Sequence, residues 1–154
     1  MSTEENKAKV RRIIEEVWNG GNLAVLDELV APNCVFHDPS TTLSGPEGIK
    51  RYVMYRMAFP DVHFTIDDLI AEGERVVIRW TVTGTHKGEL QGMAPTGRYV
   101  RVMGMVISRF AKGKVEEDWI NFDALGLMQQ LGVVAQLERS VRTVCRSMSS
   151  FRDN

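Results

Sequence analysis

The period of the hydrophobic pattern changes from helical to alternating at Phe59-Pro60-Asp61, and that change restricts the possible folds more than any other feature. Before it, apolar residues recur at helical spacing; after it, as far as Phe122, they alternate. Ser2 and Glu5 form a capping-box pair ahead of Val10, Ile13, Ile14, Val17 and Trp18, a helix stopped by Gly20-Gly21. Asn22 can cap a second short helix carrying Leu23, Leu26, Leu29 and Val30, ended by Pro32, which lacks an amide hydrogen. Cys34–Asp38 reads as a brief strand and 39–45 as a loop. Pro46-Glu47 opens a third helix with Ile49, Tyr52, Val53 and Met57.

Beyond Pro60, strands are expected at Val62–Ala71, Val76–Thr85, His86–Gln91, Tyr99–Phe110 and Lys114–Phe122. Turn residues separate them at Glu72-Gly73-Glu74, Ala94-Pro95-Thr96-Gly97 and Lys112-Gly113. Asp123 can cap a short helix with Leu127, Met128 and Leu131, stopped by Gly132. Helices followed by consecutive antiparallel strands predict an α+β fold, a cone-shaped curved antiparallel sheet closed by N-terminal helices, over residues 1–132. A cone has a mouth, so the expected site is the cavity between the concave face and the helices.

Residues 133–154 form a second unit, an amphipathic helical extension with Val134, Leu137, Val141, Val144, Met148 and Phe151 spaced three or four apart. That stripe either packs on its own domain or makes a subunit interface, and a homodimer or larger homo-oligomer is expected.

Charge narrows the partners. Nineteen Lys and Arg against twenty Asp and Glu leave a net charge of −1, so no global field draws the chain to nucleic acid or an anionic membrane. No apolar stretch is long enough to span a bilayer, and Met1–Glu5 is acidic and polar where a signal peptide is basic then apolar, so a cytoplasmic location is expected. Two cysteines, Cys34 and Cys145, without a CxxC pair, suggest neither a disulfide framework nor a metal site. The expected partner is a small hydrophobic or aromatic molecule. Tyr52, Tyr55, Phe59 and Trp80, with Met93, Met103, Met105 and Met128, could give it an adaptable apolar lining.

The segments Ala58-Phe59-Pro60-Asp61, Gly84-Thr85-His86-Lys87-Gly88, Ala94-Pro95-Thr96-Gly97-Arg98, Gly113-Lys114-Val115-Glu116-Glu117-Asp118-Trp119 and Gln130-Leu131-Gly132 together resemble the SnoaL-like polyketide cyclase family of the nuclear transport factor 2-like superfamily. The resemblance covers roughly residues 8 to 134 and implies the cone fold. It also implies an intramolecular aldol cyclisation in which one carboxylate abstracts a proton beside a carbonyl, with no metal or cofactor. Such an acid must be dehydrated, with a pKa raised toward neutrality.

The ungapped correspondence puts the family's catalytic aspartate at Ile120, which cannot move a proton. Asp118 projects from the same face one pleat away, so it could act as a displaced base, or a bulge could bring it into register. The competing reading makes Asp118 part of a solvated acidic strand end beside Glu116 and Glu117. The enzyme reading is a cofactor-free cyclase, isomerase or lyase of the SnoaL-like kind, whereas losing the acid would leave a protein that only holds a ligand.

The family's pocket residue before a strand-end proline maps to Asp38 beside His37. Asp38 could orient a carbonyl, or be a turn acid capping the loop at Ser40. Trp119 and Asn121 face opposite to Asp118, and Asn121 could bond a carbonyl if that face lines the cavity. Arg79 matches the epoxide-hydrolase relatives' arginine, but Thr81 and Ile120 stand where that chemistry resembles a pair of aspartates. The candidate catalytic residues are therefore Asp118 and Asp38. His37, Tyr52, Phe59, Arg79, Met103, Met105, Trp119, Ile120 and Asn121 are the candidate substrate contacts.

Overall fold

The computed structural model describes residues 2–135. Helix α1 (Thr3–Arg12) begins where Ser2 accepts the Glu5 amide and the Glu5 carboxylate accepts the Ser2 amide. It does not continue as a regular α-helix to Gly20: Ile13–Asn19 are wound as a π-helix. Such segments carry extra residues per turn and often occur at functional sites. Here the wider turn keeps Ile13, Ile14 and Val17 buried.

Helix α2 (Ala24–Leu29) starts without the expected Asn22 side-chain cap; the Asn22 carbonyl accepts the Val25 amide instead. It ends before Pro32, because β1 (Val30–Asp38) begins pairing at Val30. Pro32, with no amide hydrogen, lies where the ladder shifts register between Val30 and Val35. The expected loop at 39–45 holds a short strand, β2 (Thr41–Ser44), antiparallel to β1. Helix α3 (Pro46–Ala58) crosses β1 at Gly48, where a Cβ would lie 2.0 Å from the Phe36 ring.

Strands β3 (His63–Glu72), β4 (Arg75–Thr85), β5 (Tyr99–Ala111) and β6 (Lys114–Phe122) form an antiparallel meander. The six-stranded sheet has the order β2-β1-β6-β5-β4-β3, and β1 runs parallel to β6. The sheet is therefore mixed, where the sequence pattern suggested antiparallel pairing throughout. The reason is topological: β1 enters at the far side of the meander, after a helical hairpin instead of a tight turn.

The strand expected at His86–Gln91 is absent. The Lys87 and Gly88 amides bond to the Ala58 carbonyl at the end of α3, and Gln91 and Gly92 take positive φ, turning the chain. Helix α4 (Ala124–Leu131) is capped by Asp123, whose carboxylate accepts the Gly126 amide at 2.7 Å. Most of the predicted extension, residues 136–154 and with it Cys145, lies outside the described residues.

One hydrophobic cluster joins α1, the π-helix, α2 and the concave side of the sheet through Val17, Leu26, Phe36, Val76 and Phe110. A second joins Ala58 and Phe59 to Val100, Val102, Leu127 and Leu131. No described helix is long and apolar enough to cross a membrane.

Candidate active site

A cavity of about 140 Å³ opens between the two clusters, walled by the concave face, the π-helix and α3. Its lining is almost wholly apolar. The π-helix contributes Ile13, Ile14 and Trp18, and the Trp18 ring lies 4.7 Å from both Tyr52 of α3 and Phe64 of β3. Trp80 of β4 continues this aromatic wall, 5.0 Å from Phe64. It has room because Gly104 sits opposite on β5, where a Cβ would come within 2.4 Å of its ring. An apolar cavity of about 150 Å³ holds benzene, so the enclosed part of this one takes roughly one ring of a larger molecule, its mouth being open.

Into this wall the sheet sets one carboxylate. Asp118 is 6% exposed and pairs across the strands with Ser108. The local cause is a bulge. The β5–β6 ladder passes from Arg109 opposite Glu117 to Phe110 opposite Val115, leaving Glu116 as the extra residue. Glu116 and Glu117 both bind Arg109, at 3.4 and 3.1 Å, while Val115 and Asp118 are both buried. Asp118 thus leaves the acidic run and enters the core, which corrects the reading of a solvated strand end.

Burial pushes its pKa from 3.8 up to about 6, against the opposing effects of a hydrogen bond from Ser108 and the positive charge of Arg51. Its Oδ1 has no hydrogen-bond partner within the protein. Ile120, one pleat further along, also lines the cavity and presents only hydrocarbon.

Arg51 is the cavity's cation, and nothing in the sequence reading singled it out. Its side chain is 12% exposed, its guanidinium is ion-paired with Asp38, and it lies 5.7 Å over the Tyr55 ring. Asp38 itself is not on the cavity wall. Its Oδ1 accepts the Ser40 amide at 3.0 Å and the Ser40 hydroxyl at 2.8 Å, the turn role weighed from the sequence. Burial alone raises its pKa, but Ser40 and Arg51 outweigh that and hold it below the ordinary aspartate value. Asp38 thus favours its ionised form and anchors Arg51.

Tyr52 and Phe59 line the cavity as expected of them by position, Tyr52 fully packed between Trp18 and Phe36. Six other candidates lie elsewhere, for one reason: they occupy the odd positions of the strands, which face the convex side. His37 bonds Glu117 at 2.8 Å and stacks on Trp119. Arg79 reaches Asp68 at 2.5 Å and Asp67 at 3.3 Å. Met103 and Met105 are 51% and 53% exposed, and Asn121 is exposed. None of His37, Arg79, Met103, Met105, Trp119 and Asn121 touches the cavity.

Ser108, Trp18, Phe64 and Thr83 are among the other cavity residues that the sequence pattern did not mark. Ser108 was recoverable in principle, as the hydroxyl residue in an otherwise apolar inward alternation running Val100, Val102, Val106, Phe110. The chemical capacity of the site is that of an acid–base pocket: one dehydrated carboxyl raised to about 6, one anchored cation, and the hydroxyl residues Ser108, Thr83, Tyr52 and Tyr55 among hydrocarbon walls.

Known proteins place this geometry. The family model of the SnoaL-like polyketide cyclases matches residues 8–131. The chain is 30% identical over 132 residues to the aklanonic acid methyl ester cyclase DauD of Streptomyces sp. strain C5, covering 80% of this chain and 79% of that protein. It is also 30% identical over 131 residues to the aklanonic acid methyl ester cyclase DnrD of Streptomyces peucetius, covering 80% and 88%. Among solved structures, AclR of Streptomyces galilaeus, named a candidate hydroxylase, superposes with a TM-score of 0.85 at 28% identity, covering 99% of this chain and all of that one. A Catenulispora acidiphila protein with a ketosteroid isomerase-like fold, 20% identical with a TM-score of 0.67 over 80% and 92% of the two chains, shares the fold. A cone sheet around an apolar cavity, matched along its length by this family's pattern, establishes that the chain belongs to the SnoaL-like polyketide cyclase family.

Proposed function

We propose that the protein is a cofactor-free cyclase that closes a ring in a polyketide-like ester by intramolecular aldol addition, with Asp118 as the proton carrier. The observation that carries this reading is a carboxylate on the wall of an apolar cavity, raised to about 6 by dehydration.

Ionised Asp118 takes a proton from the carbon between or beside carbonyl groups, breaking the C–H bond and leaving an enolate. The enolate carbon attacks a ketone carbon of the same molecule, the new C–C bond forms, and the ketone oxygen receives the π electrons. Asp118 returns the proton to that oxygen and is again a carboxylate. The product is an isomer of the substrate, and no electrons enter or leave. Ser108 supports the carboxyl during both transfers, and the hydrocarbon walls keep water from quenching the enolate.

The alternative, a protein that only holds a ligand, follows from Ile120 occupying the family's catalytic position. Asp118 on the same wall favours catalysis. The test is to incubate the protein with aklanonic acid methyl ester and related polyketide methyl esters without added cofactor. Expected is an Asp118-dependent product of unchanged mass with one ring more. Tight binding without turnover throughout that panel supports the ligand-holding reading instead.

A further inference from the structure

Arg51 has no part in the acid–base cycle above, yet it is a cation committed to an apolar cavity. Burying a guanidinium is costly unless it is paired, and Asp38 supplies the pair. A guanidinium carries five donors in a planar fork. Asp38 binds at Nη2, and the Tyr55 hydroxyl accepts a hydrogen bond from the group while its ring packs against it, which still leaves donors of the five for whatever enters the cavity Arg51 lines. Asp38 is in turn held by Ser40, so the fork is fixed from behind and does not have to be ordered when a ligand arrives.

We infer that Arg51, anchored by Asp38, receives the enolate oxygens of the substrate, so that the cavity selects carbon acids whose reacting carbon is flanked by two carbonyls. This rests on Asp118 being the base. A carboxylate is a weak base toward the proton beside a single ketone, and a second carbonyl makes the carbon far more acidic. The resulting anion spreads over two oxygens in one plane, the shape a guanidinium fork binds in two contacts. Arg51 and Asp118 line the same cavity, and the cation's charge is felt at the Asp118 carboxyl. The substrate enters neutral and becomes anionic only once inside. The arginine's strongest contact is then made after proton transfer, where it favours the reaction and not merely binding.

The test uses dimedone, a single-ring 1,3-diketone that is an enolate at about pH 7, against its neutral relative 3,3-dimethylcyclohexanone and against cyclohexanecarboxylate, with calorimetry in two buffers of different ionisation enthalpy. Wild-type protein is expected to bind the enolate roughly ten- to a hundred-fold more tightly than the neutral ketone, the range of one charge-assisted hydrogen bond. It should also take up close to one proton on binding, because an anion beside Asp118 protonates it. Arg51→Lys, which keeps the charge but removes the fork, should lose most of the preference, and the charge-neutral double variant Asp38→Asn/Arg51→Gln should lose all of it, with thermal melting confirming that both are folded.

Asp118→Asn should abolish proton uptake while keeping the preference, so loss of uptake reports on Asp118 and loss of preference on Arg51. Equal affinity for enolate and ketone, a preference that survives removal of the guanidinium, or tighter binding of the carboxylate than of the enolate overturns the assignment.

Discussion

Glu117 and Asp118 are neighbours on one strand and opposites in chemistry. Glu117 stands on the convex face, where a hydrogen bond with His37, then Arg109, hold its carboxyl below the ordinary value of 4.5. Asp118 stands on the concave face, where burial lifts its carboxyl to about 6. One peptide bond separates an acid that is always ionised near neutral pH from one poised to exchange a proton. Residue type did not decide this; the side of the sheet did. The convex face satisfies its acids with arginines and a histidine, whereas the concave face leaves an oxygen of Asp118 without a protein partner.

The contrast is broken most severely by removing the buried acid. Asp118→Asn should reduce cyclisation by about 10²- to 10⁴-fold, the usual worth of a positioned general base, while Glu117→Gln should leave the rate near wild type. The same Asp118→Asn variant should be more stable. A raised carboxyl pKa favours the folded state fully below the unfolded value of 3.8, and that contribution is lost as pH rises through about 6. At pH above 7 the amide should therefore gain about 3 kcal/mol in urea unfolding, and lose that gain below about pH 4.

The pH profile sharpens the comparison next. Activity should fall about tenfold per pH unit below a midpoint near 6, as Asp118 becomes protonated. Arg51 and Tyr52 from α3, Cys34 from β1 and Ser108 from β5 are the polar or titratable groups set against it. Burial pushes the Cys34 thiol to about 12 and the Tyr52 hydroxyl above its ordinary value, so neither ionises in this range. Arg51→Gln should move the midpoint upward, because the cation opposes the burial shift.

A steric change on the concave face should cost less. Gly104→Ala drives a methyl group into the Trp80 ring, and about 1–3 kcal/mol of stability should be lost, read by denaturant melts. The smallest effect belongs to the convex face. Glu117→Gln should cost below about 1 kcal/mol near neutral pH, since its ion pairs are partly hydrated. With a lowered pKa that contribution is present above pH 4.5 and disappears as pH falls through the folded value below it, the reverse of Asp118.

How much of this was legible in the sequence follows from the same two faces. The helix-to-strand switch, the Ser2–Glu5 capping box and the Asp123 cap are local patterns, and the elements they predict are present with ends moved by a few residues. Alternation put Asp118 and Ile120 on one face and Trp119 and Asn121 on the other, but it could not say which face is covered. That depends on where the helices land. Met103 and Met105 rest on residue type alone and Arg79 on its match to the epoxide-hydrolase relatives, and the convex face takes all three.

Arg51 was invisible for a different reason. A lone arginine in a helix is usually solvated, and only the meeting of α3 with the end of β1, where Asp38 and Ser40 wait, makes it a buried cation. The π-helix that carries Trp18 is equally unreadable from spacing, because its residues satisfy an α-helical pattern as well.

The most direct measurement is the titration of the Asp118 carboxyl by carbon-13 NMR in the intact protein, assigned by its loss in Asp118→Asn. A midpoint near 6 is the result expected of a dehydrated acid inside the cavity. A midpoint at or below 3.8 would place the carboxylate in contact with water or a cation and contradict its role as the proton carrier.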